Sequence, residues 1–292
     1  LGDVYKRQGM SKKFQSSSMK MIEQFMLEAN ETVARHCVKR KLPALYRVHQ
    51  PPSDLKLQQL KKTLAHYGVN PKTVSLSDSY GFSRILSHLK ELPQFEALQV
   101  VLLRSMALAV YQTRNGGHFG LAAEFYTHFT SPIRRYPDLM VHRALKKELS
   151  SPNQKKSSRK RNIKQKHGDE IDRELALKCS QQERNAEKAE LQSVDLMKCV
   201  FLEPHIGVDF QSVIRSLDSR QIRVELEPHT LEWNVPLETL NDDRYFFDQE
   251  RLYLSGRRQG RLIRIGQRLK LKLIRVDVLQ RNIDFDFEGW LN

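Results

Sequence analysis

The sequence predicts an α+β protein whose longer, mainly helical first part is followed by a small five-stranded β-barrel. Up to about residue 202 the apolar residues recur at helical spacing, and after Glu203 and Pro204 they alternate in short runs. The chain of 292 residues has a formal net charge of +15, which favours a polyanionic partner, meaning RNA, DNA or an acidic membrane surface.

The helical part begins with a long amphipathic helix from Met19, whose apolar residues are Ile22, Phe25, Met26, Ala29, Val33 and Ala34. After two prolines, Ser53 is a suitable N-cap for a second helix, and Gly68 is suited to end it. Further helices are predicted over residues 80–92 and 93–111.

Residues 116–145 carry the most informative pattern of the chain. Ser131 is a natural N-cap and Pro132 suits the first helical position, so we expect a helix from Ser131 that Pro137 can kink. Before it, alternating apolar residues predict a strand that runs into the helix, with Phe119, Leu121, Ala123 and Phe125 on one side.

A helix that begins at Ser131 places Arg134 and Arg135 in its first turn. The unpaired N–H groups and the helix dipole already make that end positive, so two cations there indicate that an anion, such as a phosphate, completes the site. The alternative is a surface ion pair between one arginine and Asp138. That pair accounts for one arginine and leaves the second unexplained.

Residues 151–168 form a basic segment with almost no apolar side chains, and we expect a disordered loop there. Such a loop either contacts RNA phosphates or is a solvated insertion without a specific role. A long helix is predicted after it, over about residues 169–201.

Five short runs after residue 203 predict the strands of an OB-type barrel: residues 210–215, 221–226, 233–237, 268–276 and 282–287. Its second half is basic, with Arg257, Arg258 and Arg261 among the cations, and Tyr245, Phe246, Phe247 and Tyr253 supply aromatic faces. A basic groove with aromatic residues is typical of barrels that bind single strands, although such arginines are equally typical of a solvated sheet surface.

The segment HFGLAAEFYTHFTSPIRRYPDLMVHRAL, from His118, resembles the late signature of the RNB catalytic domain of the RNase II and RNase R family of exoribonucleases. The segments MIEQFMLEANETVA, ALYRVHQPPS, VLLRSMALAVY and CSQQERNAEKAE agree with it in the same order. The closing segment is similar to the S1-type RNA-binding domain that follows RNB in this family. Residues 217–220 depart from the Gly- and Phe-rich turn usual there, which puts the usual stacking surface in doubt.

The resemblance implies 3′-to-5′ hydrolysis of single-stranded RNA to nucleoside 5′-monophosphates, with magnesium as cofactor. The metal-binding aspartates of the family belong to an earlier part of the domain, so we expect no metal ligands in this chain. By motif position, Arg134 matches the arginine that grips the scissile phosphate, and Glu190 matches an acidic residue near the 3′ nucleotide. Arg135 either contacts the next phosphate or pairs with Asp138. Further RNA-binding candidates are His118, Tyr126 and His128, although a structural role in the core is the commoner one for such residues.

The resulting division assigns residues 1–8 to a foreign or misread N-terminus, 9–202 to a partial RNB domain and 203–289 to the S1-type domain. Two functions stay open: the C-terminal part of a processive exoribonuclease, and an RNA-binding module without catalysis. No segment approaches the length of about 20 apolar residues that a membrane span needs, and we expect a cytoplasmic monomer.

Overall fold

The structure is a computed structural model that describes residues 15–69, 78–92, 95–150 and 164–291. Its helices are α1 Ser17–Arg40, α2 Asp54–His66, α3 Ser79–Leu89, α4 Phe95–Ser105, α5 Tyr136–Leu149 and α6 Lys164–Leu202. Its strands are β1 Tyr46–Val48, β2 Val110–Gln112, β3 Asp209–Leu217, β4 Gln221–Leu226, β5 Leu231–Pro236, β6 Tyr245–Asp248, β7 Tyr253–Gly256, β8 Leu262–Ile263, β9 Arg268–Asp277 and β10 Asn282–Leu291. A mixture of helices and antiparallel sheets is therefore confirmed.

The first two predicted helices form as the capping residues indicate. The Ser16 hydroxyl accepts a hydrogen bond from the Met19 N–H at the start of α1, and Ser53 is the N-cap of α2. Gly68 follows α2 with a φ of 77°, a left-handed conformation that glycine adopts without strain.

The fourth helix is shorter than predicted, because α4 ends at Ser105. Residues 110–112 pair instead with β1 in an antiparallel ladder, where Tyr111 lies opposite Arg47. The Lys56 ammonium group donates to the Arg104 and Met106 carbonyls, each at 3.3 Å, and so satisfies acceptors that the end of α4 leaves open.

The predicted helix start at Ser131 is wrong. Residues 132–134 form a turn, Arg135 is the N-cap and α5 begins at Tyr136. Pro137 is the reason: its nitrogen has no hydrogen to donate, so it is tolerated in the first turn of a helix and breaks the hydrogen-bond ladder farther inside. Pro137 therefore lies in the first turn of α5, where it breaks no hydrogen bond of the helix and does not kink it.

The strand predicted over residues 119–125 is also wrong. Phe119–Leu121 forms one 3₁₀ turn, and Ala122 follows it with a φ of 54°. The His118 N–H donates to the Ala123 carbonyl at 2.8 Å, which closes the turn as a short loop. The alternating residues do not share one buried face: Phe119 packs against the core of α2, α3 and α4, Phe125 packs against that of α1 and β1, and Leu121 is exposed.

The loop predicted over residues 151–168 lies largely outside the described residues, as does the predicted foreign N-terminus at 1–8. Helix α6 begins at Lys164, five residues before the predicted start, so the last residues assigned to the loop are helical.

All five predicted barrel strands form, within a few residues of the predicted bounds. They pair in the linear order β10-β9-β3-β4-β5, every pair antiparallel, and a separate sheet has the order β6-β7-β8. In the described part no strand pairing closes the five-stranded sheet between β5 and β10. The predicted closed barrel is thus not seen as a continuous ladder.

The two regions share a hydrophobic core. Leu252, in the turn between β6 and β7, packs among buried residues of α2, α3 and α4, together with the partly buried Phe247 and Ile265. The Tyr67 hydroxyl donates to the Arg251 carbonyl beside this contact. No helix in the described ranges is long and apolar enough to cross a membrane.

Candidate nucleic-acid interface

The candidate site is built on β1 and the loop that runs beside it. The Arg47 N–H donates to the Tyr126 carbonyl at 3.0 Å, and the His49 N–H donates to the Gly117 carbonyl at 3.1 Å. These bonds fix the segment from residue 117 to 128 along β1, so its aromatic residues and histidines lie beside Arg47 and His49. We call this group, with Asn30, Tyr111, Arg134 and Arg135, the arginine–histidine cluster.

A row of rings runs through the cluster. The ring centroids are 4.9 Å apart for His49 and His118, 5.1 Å for His118 and Tyr126, 5.9 Å for Tyr126 and His128, and 5.6 Å for His128 and Tyr111. Three of the residues predicted from the sequence, His118, Tyr126 and His128, are therefore brought together in one place.

Hydrogen bonds fix the orientation of these rings. The Asn30 amide donates to the Tyr126 hydroxyl at 3.1 Å and accepts from the Phe129 N–H at 2.9 Å. The Tyr111 hydroxyl and His128 Nδ1 are 2.8 Å apart. Such fixed side chains lose little conformational entropy when a ligand binds.

The ring of His49 is fixed from both sides. His49 Nε2 donates to the Ala107 carbonyl at 2.7 Å, and its Nδ1 accepts from the Gly120 N–H at 2.8 Å. A Cβ at Gly120 would lie 3.0 Å from His49 Nδ1, so a larger residue there would require the His49 ring to shift by a few tenths of an ångström.

The electrostatics of the cluster keep two histidines uncharged at neutral pH. Burial, with the neighbouring His49 and Arg47, lowers the pKa of His118 to about 4. Burial and the charges of Arg135 and Arg47 lower the pKa of His128 to about 3, and Arg134 adds to the same effect. The positive charge of the cluster therefore resides on its arginines.

The three arginines differ in their partners. Arg47 pairs with Glu183 of α6 and its guanidinium carbon lies 4.9 Å from the Tyr111 ring centroid. Arg135 pairs with the buried Asp138 at 2.8 Å, which is the second of the two alternatives for this residue. Arg134 is exposed, and no carboxylate partner occurs for it among the described residues.

Several buried polar atoms of the cluster and of the adjacent Asp138 have no hydrogen-bond partner in the described part of the chain. They are His118 Nδ1, Arg135 Nε and Asp138 Oδ2. Unsatisfied buried polar atoms are costly and uncommon, and a water molecule or a polar ligand normally completes them. The cluster thus offers an exposed guanidinium, that of Arg134, and polar atoms that still have bonding capacity.

The remaining predicted residues lie elsewhere. Glu190 is exposed on α6, two helical turns or about 10 Å beyond Glu183 on the same side of the helix. Arg257, Arg258 and Arg261 are exposed in the turn between β7 and β8. Asp243 accepts the Arg258 N–H at 3.0 Å, which ties that turn to the preceding loop.

Sequence reasoning missed Asn30, Arg47, His49, Tyr111 and Glu183. Two of them carry a signal that was available: Arg47 interrupts the apolar run 44–48, and Asn30 lies on the same face of α1 as the buried Ala34 and Cys37. The pairing of Arg47 with Glu183 joins residues 136 positions apart and has no local signal.

Comparison with known proteins shows which family contains this cluster. The RNB domain family matches residues 5–151, about half of the chain. This chain belongs to the RNB family. The match contains every residue of the cluster, whereas Glu183 and Glu190 lie beyond it. This RNB protein is 38% identical to Ribonuclease R of Aquifex aeolicus over 275 residues. The alignment covers 91% of this chain and 37% of that protein.

Ribonuclease R of Escherichia coli strain K12 is 36% identical over 270 residues, with 91% of this chain and 33% of that protein covered. Among solved structures, Mycoplasma genitalium RNase R in complex with ribose-methylated single-stranded RNA superposes with a TM-score of 0.75 at 30% identity. That alignment covers 94% of this RNB chain and 42% of the other. The chain therefore spans a third to two fifths of the length of these relatives.

Magnesium is the cofactor that the resemblance implies. Within them no group of three His, Cys, Asp or Glu side chains is placed to hold a metal ion. The carboxylates beside the cluster, Asp138 and Glu183, are each engaged with an arginine.

Proposed function

We propose that this chain is the C-terminal part of a 3′-to-5′ exoribonuclease and that its arginine–histidine cluster binds the phosphate backbone of single-stranded RNA. The observation that carries the proposal is the exposed Arg134, which has no carboxylate partner in the described part and lies beside arginines that do. Membership of the RNB family and the similarity to ribonuclease R proteins support it.

The chemistry proposed for the chain's own residues is phosphate binding. A guanidinium group donates two parallel N–H bonds to phosphate oxygens, and Arg134 would stabilise the charge that develops on the scissile phosphate. His118 and His128, uncharged at neutral pH, would donate to RNA oxygens without adding repulsion to the arginines. We keep Glu190 as a candidate for the 3′-terminal nucleotide.

We further propose that residues 203–289 form an S1-type OB fold that binds RNA. The strand order β10-β9-β3-β4-β5 is that of a five-stranded Greek-key barrel left open between its third and fifth strands. Arg257, Arg258 and Arg261 would contact phosphates from the turn between β7 and β8. In place of the usual Gly- and Phe-rich turn, Asp218 accepts the N–H groups of Arg220 and Gln221.

Magnesium would supply water activation in the complete enzyme, with ligands from the part of the relatives that this chain does not match. We therefore propose that this chain, a cytoplasmic monomer, binds RNA and does not degrade it. The second candidate function, an RNA-binding module without catalysis, makes the same prediction for the chain alone. Adding the rest of a ribonuclease R polypeptide distinguishes them, since only the first candidate then degrades RNA.

The test measures binding of a fluorescently labelled single-stranded RNA by anisotropy. We expect R134Q to weaken binding about 10-fold, the value of a hydrogen bond to a charged group. R143Q, on the exposed side of α5, removes the same charge and should change affinity less than about twofold. Equal affinities for R134Q and the unmodified chain would refute the phosphate assignment, and magnesium-dependent release of mononucleotides by this chain alone would refute the proposed origin of the metal ligands.

A further inference from the structure

The turn that carries Arg134 is closed by two hydrogen bonds to one carbonyl. The N–H groups of Arg134 and Arg135 both donate to the Ser131 carbonyl, at 3.3 and 3.1 Å. The two arginine side chains nevertheless have opposite environments: Arg134 is exposed, whereas the Arg135 side chain is only 19% exposed. The turn thus places the Arg134 side chain in solvent and the Arg135 side chain mostly in the protein interior.

Asp138 produces this separation from the first turn of α5. Its side chain is fully buried, and a single carboxylate oxygen, Oδ1, accepts both the Ser131 N–H and an Arg135 guanidinium N–H, each at 2.8 Å. The carboxylate therefore ties the beginning of the turn to its end. Its negative charge also suits the N-terminal end of α5.

We propose that Asp138 is a positioning residue for RNA binding: it fixes the turn 131–135 and neutralises Arg135, so that Arg134 alone faces the phosphate. This inference rests on the proposed function of Arg134. It assigns the two arginines different tasks, with Arg135 as part of the support and Arg134 as the ligand-binding group. Ser131 contributes its backbone N–H.

Removing the carboxylate has two physical consequences. Arg135 loses its counter-charge in a cluster that already contains Arg47, and the repulsion drives it toward solvent. The Ser131 N–H also loses its acceptor, so the turn becomes more mobile. RNA binding must then pay the conformational entropy of fixing Arg134. Both consequences act on Arg134 through the turn.

The test is a double-mutant cycle in this chain, with D138N, R134Q and D138N/R134Q measured by RNA anisotropy at several salt concentrations. We expect about 10-fold weaker binding for D138N and for R134Q, and a double variant within about twofold of R134Q. The slope of log K against log salt should fall by about 0.7 in all three, the value of one phosphate contact on a single strand. D195N, which removes an exposed carboxylate paired with Lys198, is the matched control and should leave binding unchanged.

Each outcome separates the positioning role from the proposed function. If R134Q weakens binding and D138N does not, the positioning role is refuted while the phosphate assignment stands. If the double variant is about 100-fold weaker than the unmodified chain, Asp138 acts independently of Arg134 and the inference is again refuted. If R134Q leaves binding unchanged, the proposed function of Arg134 itself fails.

A second variant covers the case in which D138N does not fold, as judged by circular dichroism. D138E keeps the charge but moves the carboxylate by one methylene, and hydrogen exchange at the Ser131 amide reports the loss of its acceptor. We expect faster exchange at Ser131 together with weaker RNA binding. Faster exchange with unchanged RNA binding would show that the turn does not position Arg134.

Discussion

Most arginines of the arginine–histidine cluster are supported by partly or fully buried partners, whereas those of the β7–β8 turn are exposed to solvent. In the cluster, Arg47 and Arg135 have side chains that are 13% and 19% exposed and that pair with carboxylates. In the β7–β8 turn, Arg257 and Arg258 are exposed to solvent, and Arg261 lies 5.4 Å above the Trp290 ring.

This difference teaches that one residue type can serve recognition in two ways. Under the proposed function, the cluster binds RNA through its geometry, because buried partners fix the position of the exposed Arg134. The β7–β8 turn would instead attract RNA through its accumulated charge, with little dependence on position, and salt would screen that attraction. The predictions below test whether the two regions are coupled and how far their arginines differ.

The largest effect is expected at Leu252, which joins the two regions. Its side chain packs among the helices and is 9% exposed, so L252A should lower the free energy of unfolding by about 3 kcal/mol through lost contacts and a cavity. Leu279, 88% exposed, is the matched control, and L279A should cost less than about 0.5 kcal/mol. Urea unfolding followed by circular dichroism measures both.

If the regions form one cooperative unit, L252A lowers the midpoint of a single transition. Two separate transitions in the unmodified chain would contradict a single cooperative unit. The cluster and the β7–β8 turn would then belong to units that fold independently.

The next largest effect is expected at Arg47. R47M leaves Glu183 without its partner in a largely buried position, and we expect a loss of about 2 kcal/mol in unfolding free energy. Arg223 pairs with Glu232 at 4.0 Å, with both side chains about half exposed, so R223M should cost less than about 1 kcal/mol. Equal costs for the two variants, measured by urea unfolding, would contradict the distinction between supported and solvated arginines.

The sequence predicted secondary structure best where local signals act alone. Ser53 and Gly68 marked the ends of α2, and the alternation of residues 221–226 marked β4, each within a few residues of the observed bounds, although the Ser53 hydroxyl makes no capping hydrogen bond. At Ser131 the local signals conflicted, since good capping residues preceded a proline six positions later. Pro137 determined where the helix begins, because a missing N–H inside a helix costs more free energy than the loss of an N-cap.

The candidate site was predictable only in part. The arginine pair and the aromatic residues before it were found, since their density near a helix start is visible in the sequence. The partners that give them different roles were not, because Glu183 reaches Arg47 from α6 and Asn30 reaches Tyr126 from α1. Long-range contacts of this kind depend on how the helices pack, and they produce no periodic pattern in the sequence.

A smaller effect concerns pH and the two uncharged histidines. The pKa values of His118 and His128 are lowered to about 4 and about 3, below the usual value of 6.5. Between pH 6.5 and 4 the unfolded chain therefore binds more protons than the folded chain, so stability falls as the pH falls through this window.

Urea unfolding at pH 7 and pH 5 measures this dependence. The double variant H118Q/H128Q should lose less stability than the unmodified chain between these two pH values. The same loss in both proteins would show that burial and the neighbouring charges do not lower the pKa values of these histidines.

The smallest effect per residue is expected in the β7–β8 turn. R257Q/R258Q/R261Q should lower the salt slope of RNA binding by about 2, from three single-strand contacts of about 0.7 each, with no loss of folding stability beyond about 1 kcal/mol. The matched control, K39Q/K61Q/K90Q, removes three exposed charges from the helical region and should leave the slope nearly unchanged. Equal slopes for the two triple variants would mean that the β7–β8 turn acts only through net charge, whereas a tenfold loss from any one of its arginines would place that residue with Arg134 as a fixed ligand of RNA.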